Sequence, residues 1–369
     1  MSPLSKYILI IFLLGILFGV VKLTPTCNSN TNTKIEETNN LQHTIITGRY
    51  LFFDRRLSVN NTRSCGTCHN PTYAFTDGYK RSLGIYADLH KRNTQPLFNL
   101  SYLKYLTAAD SSLHTLAQQI NNPLFNEHPA EMGVKNNEEI ILKKIISDSL
   151  YLVMFKEEGK EISWYNIKYD ICSFVESINS FNAPYDSYMA GNKNALTTSE
   201  IEGMNLFFSP QLKCFTCHGE KNFSTPIQFE DKQEYFFNTG MYNLEGRNNY
   251  PVYDMGLYDL TKQPKDIGKF RVPTLRNLAF TGPYLHDGSE ASLLNILRFY
   301  QRGGRLINEG INKGDGKNNI HKSSRINGYS ITEKQQMYLL QFLYSLSDSS
   351  FITNKNYQNP FIDDETKHN

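Results

Sequence analysis

Residues 65–69 read CGTCH, and residues 214–218 read CFTCH. Each stretch places two cysteines two residues apart with a histidine directly after the second. Three chemistries use such a pair. A four-cysteine zinc site needs two pairs, but these normally lie much closer together, and no adjoining histidine is required. Redox CxxC chemistry does not call for the histidine either. Covalent attachment of a c-type haem uses all three residues. Each sulfur bonds a vinyl group of the porphyrin, and the histidine lies under the iron as proximal ligand. The pair of motifs therefore predicts two bound haem c groups. One is held by Cys65, Cys68 and His69, the other by Cys214, Cys217 and His218.

The motifs lie about half the chain apart, which predicts a mainly α protein of two cytochrome c-like domains, each with one covalently bound c-type haem. The 369 residues are divided accordingly. Residues 1–26 are a signal peptide or an N-terminal membrane anchor, and 27–43 a polar, flexible linker. The N-terminal haem domain spans 44–190, the C-terminal one 191–348, and 349–369 form a C-terminal tail. The apolar run from Ile8 to Val21 is short for a free-standing span, and no clean cleavage site follows it. Thr24-Pro25-Thr26 before Cys27 is a poor lipobox. An exported, periplasmic body agrees with haem c assembly outside the cytoplasm.

Helical periodicity runs through 136–158 and 164–181, and Pro184 interrupts the pattern. Thr197 opens a helix that leads into Cys214. A further helix ends at the Gly303-Gly304 pair, and Thr332 with Gln335 forms a capping box before an apolar stripe. The formal net charge is +2, which argues for neither nucleic acid nor an acidic membrane surface. Four of the six cysteines belong to haem. Cys172, inside a helical stretch, reads as a buried apolar residue and is not paired with Cys27.

Function depends on the other face of each iron. Two protein ligands make an electron carrier, whereas an open face binds peroxide or oxygen. Leu293, Ile296, Leu297 and Tyr300 share one helix face, so Tyr300 points inward, as a core residue or as a ligand. Met241 and Met255 are rival ligands. Glu131 reads either as a solvated loop carboxylate or as the base that moves a proton between the oxygens of peroxide.

The chain resembles the bacterial di-haem cytochrome c peroxidases and the related MauG-type enzymes over roughly residues 44–348. The resemblance is carried by an ordered series: CGTCH, AFTDG, KRNTQPLFN, LAQQINNPLFNEHPAEMG, NAPYDSY, CFTCH, FRVPTLRNLAFTGPYLHDGS and LRFY. It implies that the first haem is peroxidatic, with Gln119 and Glu131 as distal glutamine and catalytic glutamate. It implies that the second haem receives electrons. Its distal ligand, fourteen residues beyond His286, is Tyr300, where peroxidases carry methionine and MauG-type proteins tyrosine. Asn93, Thr281 and Pro283 match the ligands of an inter-haem calcium ion, for which amide and carbonyl oxygens are suitable hard donors. The family also implies homodimers.

Three departures stand out. The loop histidine that blocks the peroxidatic iron in many relatives would sit at position 85, which is Ile85; His90 is offset from it. This predicts a first haem open without prior reduction. The inter-haem tryptophan is missing from YLKYLTAADSS, leaving Tyr102 or Tyr105 as candidate bridges. Tyr300 itself is the third.

The leading expectation is a peroxidase that reduces hydrogen peroxide to water with electrons from a small redox protein, a cytochrome c or cupredoxin. The alternatives are a MauG-like enzyme that oxidises a residue of a partner protein through a high-valent haem state, a non-enzymatic electron-transfer cytochrome, and a zinc module.

Overall fold

The structure, a computed structural model, describes residues 31–227 and 234–362, with side chains from residue 39 onward. The expected signal peptide or anchor and Cys27 lie outside the described residues. The chain divides into two units, residues 1–42 and 43–369. Residues 31–42 begin helix α1, Thr31–Phe53. The stretch expected to be a flexible linker is thus helical from Thr31 onward. It contains no Pro or Gly before Gly48, so nothing in it breaks a helix.

Helices make up most of the regular structure of the described residues. After α1 come α2 (Cys65–Cys68), α3 (Leu116–Gln119), α4 (Asn121–Phe125), α5 (Glu138–Ile146), α6 (Ser149–Glu157) and α7 (Trp164–Ser177). Then follow α8 (Pro184–Met189), α9 (Thr198–Phe207), α10 (Tyr258–Thr261), α11 (Leu293–Arg302), α12 (Glu333–Tyr344) and α13 (Ser349–Ile352). Strands β1 (Phe236–Phe237) and β2 (Phe270–Arg271) pair antiparallel, as do β3 (Leu306–Ile307) and β4 (Gly314–Asp315).

Local chemistry sets the helix ends. Asp148 splits the periodic stretch 136–158 into α5 and α6, because its carboxylate caps Leu150 N–H at 2.7 Å and also pairs with Arg56. Ser163 caps α7. The Thr332–Gln335 capping box opens α12, with bonds of 2.9 and 3.2 Å. Gly303, at φ 78°, closes α11. Pro184 does not merely interrupt: it is the first residue of α8, where its missing N–H costs nothing.

Two helix crossings repeat one design. α1 crosses α7 at Gly48, where a Cβ would lie 1.9 Å from the Asp170 carbonyl oxygen. One turn further on, Phe52 meets Phe174 at a centroid distance of 5.3 Å. α9 crosses α12 at Gly203, where a Cβ would lie 2.0 Å from the Tyr338 carbonyl oxygen. One turn on, Phe207 meets Phe342, again at 5.3 Å. Only glycine permits backbones to approach so closely, and the phenylalanine rings then fill the adjoining groove.

Three apolar clusters follow. The first gathers Phe52, Phe98, Ile141, Tyr151, Phe174 and their neighbours, and Phe351, Tyr357 and Phe361 from the C-terminal segment pack into it. The second surrounds Phe207, Phe223, Leu297 and Phe342. The third holds Met241, Tyr242, Tyr250 and Ile267. Behind the first crossing, Lys160 bridges the buried carboxylates of Glu158 (2.6 Å) and Asp170 (2.9 Å), while Thr44 and Thr47 donate to Glu158.

Candidate functional site

Both CxxCH motifs fold alike. The Ser64 N–H donates to Thr67 Oγ at 2.9 Å and starts α2, which brings Cys65 and Cys68 onto one short turn. The chain then loops back: Asn70 bridges to Thr76, and His69 Nδ1 lies 2.9 Å from the Phe75 carbonyl oxygen. In the second motif Gly219 bridges to Thr225, and His218 Nδ1 lies 3.0 Å from the Phe223 carbonyl. A carbonyl can only accept, so each Nδ1 carries the proton and each Nε2 keeps its lone pair for a metal. Burial holds both imidazoles below their ordinary pKa, His218 at about 4, which maintains the neutral, ligating form.

The cysteines reinforce this reading. Burial pushes the Cys65 thiol up to about 12, Cys68 to about 11 and Cys214 to about 12. Such thiols do not ionise at neutral pH without a metal beside them. Among the described residues no three His, Cys, Asp or Glu side chains converge on a metal position, so the two CxxC pairs form no four-sulfur site.

A cavity of about 1430 Å³, mouth included, opens over the first motif. Cys65, Cys68 and His69 line it, and its walls carry Leu97, Leu100, Leu103, Leu106 and Ile120. Arg63, Arg92 and Arg271 add positive charge. Apolar walls with peripheral cations suit a flat ring that bears two carboxylates. Arg271 is fixed by bonds to the Thr107 carbonyl (3.1 Å) and Gln95 Oε1 (2.9 Å), and burial pulls its pKa down to about 10.

Gln119 and Glu131 line the same cavity. Gln119 ends α3 and accepts from Asn122 Nδ2 at 3.3 Å. Glu131 sits on a segment held from both sides. Ile85 N–H donates to Ala130 O (2.7 Å), and Val59 N–H to Met132 O (3.0 Å). Met132 N–H donates to Pro123 O (3.1 Å) and Val134 N–H to Leu124 O (3.1 Å). Loss of water pushes the Glu131 carboxyl up to about 7. A carboxyl poised there can accept and return a proton near neutral pH.

The blocking-histidine position has a different occupant: Ile85 is buried, bonded to Ala130 and packed toward Gly133. His90 lines the cavity, with its N–H bonded to Ser82 O at 2.9 Å. Cys172 lines it too, while packing against the first apolar cluster as expected of an apolar residue. Sequence reasoning missed the cavity placement of Arg271, Cys172 and His90. Arg271 and His90 fall in or beside the quoted motifs FRVPTLRN and KRNTQPLFN, which is a signal of neighbourhood but not of direction.

In the second half, α11 buries Leu293 and Leu297 and brings Tyr300 beside Cys214 and Cys217. Burial and those two sulfurs push the phenol well above its ordinary pKa. The rival methionines belong to another cluster: Met241 lies in that of Tyr242 and Tyr250, and Met255 packs against it. Of the expected calcium ligands, Asn93 donates its N–H to His286 O (2.8 Å) and its amide to Tyr79 O (2.8 Å), which ties its loop to the turn that carries Thr281 and Pro283. Tyr102 packs on Phe181 and Tyr105 on Tyr235 and Phe236, whereas their neighbours Leu103 and Leu106 face the cavity.

The family described as di-haem cytochrome c peroxidase matches residues 42–194. Cytochrome c551 peroxidase of Nitrosomonas europaea is 31% identical over 248 residues, 67% of this chain and 69% of that protein. This chain belongs to the di-haem cytochrome c peroxidase family. Cytochrome-c peroxidase IdrP1 of Pseudomonas sp. (strain SCT) is 29% identical over 334 residues, 83% of this chain and 81% of that protein. Among solved structures, a MauG-like protein associated with microbial copper homeostasis is 34% identical. It superposes with a TM-score of 0.84 and spans 93% of this chain and 99% of its own. The family implies haem c cofactors and an oxidoreductase of the cytochrome-c peroxidase type.

Proposed function

We propose that this protein is a MauG-type di-haem enzyme that consumes hydrogen peroxide at the first motif and uses the oxidising equivalents on a residue of a partner protein. The observation that carries the reading is Tyr300, half-buried on the inward face of α11 and near enough to Cys214 and Cys217 to feel their charge. A phenolate oxygen is a hard, anionic donor that favours the higher oxidation states of iron. The extended similarity to a MauG-like protein points the same way.

Two haem c groups are placed on Cys65, Cys68, His69 and on Cys214, Cys217, His218, in two cytochrome c-like halves. A bound haem iron supplies the two-electron cleavage of the peroxide O–O bond. The chain does the rest. His69 and His218 would each offer Nε2 to a haem iron, and Tyr300 would offer its phenol oxygen to the second haem. Glu131 takes the proton from the near oxygen of peroxide and returns it to the leaving one, so that water departs. Gln119 orients peroxide by its amide, and the leucine walls keep bulk water from Glu131. Asn93, Thr281 and Pro283 serve as calcium ligands that tie the two halves. The protein acts after export, in the periplasm.

A second reading is the peroxidase itself, which returns electrons from a small redox protein to peroxide. It is favoured by the peroxidase relatives and by His90 on the cavity wall, where a loop histidine could close the iron. Stopped-flow spectroscopy of the diferric protein with peroxide, without reductant, separates the two. Rapid spectral change supports the MauG-type reading. Reaction only after addition of one electron supports the peroxidase.

A further inference from the structure

Tyr242 and Tyr250, which are buried, and Phe270 and His286, which are half-buried, form an aromatic group that the reactions above leave without a role. The His286 ring stacks on Phe270 at a centroid distance of 3.7 Å and an angle of 13°. Tyr242 stands edge-on to His286 at 6.4 Å and to Tyr250 at 5.4 Å. Tyr250 also reaches Phe270 at 6.4 Å. The group ends at both sites. Arg92, which lines the first cavity, lies over Phe270 at 5.5 Å, held by Asp254 at 2.7 Å. At the other end Tyr250 neighbours Tyr300 closely enough to feel its charge.

One member is equipped to lose an electron. The Tyr242 hydroxyl donates to Asp287 Oδ2 at 2.6 Å, and both residues are buried, at 3% and 6% exposure. A phenol is much harder to oxidise while its proton stays in place, and a buried cationic phenol has no water to stabilise it. A carboxylate at hydrogen-bond distance removes that obstacle, because the proton can cross as the electron leaves. Asp287 is ready to receive it. The Ser289 N–H, at 3.0 Å, holds Oδ1, which leaves Oδ2 to the phenol.

We propose that Tyr242 is a proton-coupled one-electron relay between the two haem sites, with Asp287 as its proton acceptor. This rests on the peroxide reading above. In the forward step the Tyr242 O–H bond breaks. Its proton forms the O–H bond of protonated Asp287, and one electron passes through His286 and Phe270 toward the first cavity. Peroxide is the oxidant: the relay turns over twice per peroxide, and the two electrons and two protons given up by the oxidised partner residue convert it to two waters. An electron from the side of Tyr300 then restores the phenol as Asp287 returns the proton. The relay occupies the role left open by the missing tryptophan, and neither Tyr102 nor Tyr105 is needed for it.

The test is freeze-quench EPR of the holoprotein mixed with peroxide, with the tyrosines ring-deuterated in a parallel sample. A tyrosyl signal that narrows on deuteration, disappears in Tyr242→Phe and forms more slowly in Asp287→Asn and in D₂O is the expected result. A tyrosyl signal unchanged in Tyr242→Phe overturns the relay, and so does its absence from wild type while peroxide is consumed. If wild type consumes no peroxide, the enzymatic reading fails instead. The relay is then tested with flash-generated tris-bipyridyl ruthenium(III) as oxidant. Formation of the Tyr242 radical supports it, and no radical overturns it. Unaltered haem spectra and melting in Tyr242→Phe, which removes one oxygen only, show that any loss is not a loss of fold.

Discussion

The two haem-motif regions share a frame and differ in what stands over it. In each, a glycine lets two helices touch, a phenylalanine pair fills the groove one turn on, and a backbone carbonyl fixes the histidine tautomer. Over His69 there is a cavity with Glu131 and Gln119 on its wall. Beside Cys214 and Cys217 there is Tyr300. A common scaffold thus carries both motifs, and on the proposed reading the difference between reacting with peroxide and passing electrons comes from a few side chains on segments outside the scaffold.

The comparison breaks most sharply at Glu131. Glu131→Gln keeps the shape and removes the base, so the peroxide reaction at the first site should slow ~10²–10⁴-fold with unchanged haem spectra. A loss below about tenfold in stopped-flow would remove Glu131 from the proton path. In wild type the same rate should fall on acidification through the region of pH 7, where the carboxyl becomes protonated, and level off above it. A flat profile from pH 5 to 8 would mean that proton transfer does not limit the step.

Tyr300→Met exchanges an anionic oxygen for a neutral sulfur. The second haem should lose its phenolate charge-transfer band and gain reduction potential, while the first keeps its spectrum. Redox titration followed by magnetic circular dichroism resolves the two. A change confined to the first haem would reverse the assignment of roles.

The shared frame predicts equal sensitivity. Gly48→Ala and Gly203→Ala each drive a methyl into a carbonyl oxygen, at 1.9 and 2.0 Å, so each should cost about 1–3 kcal/mol despite alanine's better helix propensity. Denaturant melts of the holoprotein measure this. Tolerance at one glycine alone would show that the crossings are not equivalent.

The smallest effect concerns the Lys160 cluster of the first half. Burial raises the Asp170 carboxyl to about 7, with Lys160 opposing the rise. An acid raised on folding stabilises below its unfolded pKa, and that contribution is lost as pH rises through the folded value. Stability should therefore decline modestly between about pH 4 and pH 7, and Asp170→Asn should flatten the slope. A slope that persists in the variant would assign it to another group.

Much of the scaffold could be read locally. The CxxCH motifs need three residues at fixed spacing, and the helix starts at Thr197 and Thr332 depend on side chains within one turn of the backbone they cap. Where a local signal met a tertiary one, the reading slipped. Asp148 divides a continuous periodic stretch because Arg56, far off in the chain, holds the carboxylate that caps α6. The stretch from Thr31 looked like a linker by composition, yet it continues into α1.

The site divides along the same line. By itself the sequence determined the two CxxCH motifs with their histidines, the family, and Glu131 and Tyr300 as candidates. The motifs follow from residue type and spacing along the chain, and the candidacy of Glu131 and Tyr300 from the resemblance to the family. Only the tertiary structure decided what the candidates face. It desolvates Glu131, sets Tyr300 beside the second motif, turns Cys172, His90 and Arg271 to the cavity, and joins Tyr242 to Asp287. These relations depend on distance in space and on exclusion of water, and both arise only when segments far apart in the chain pack together.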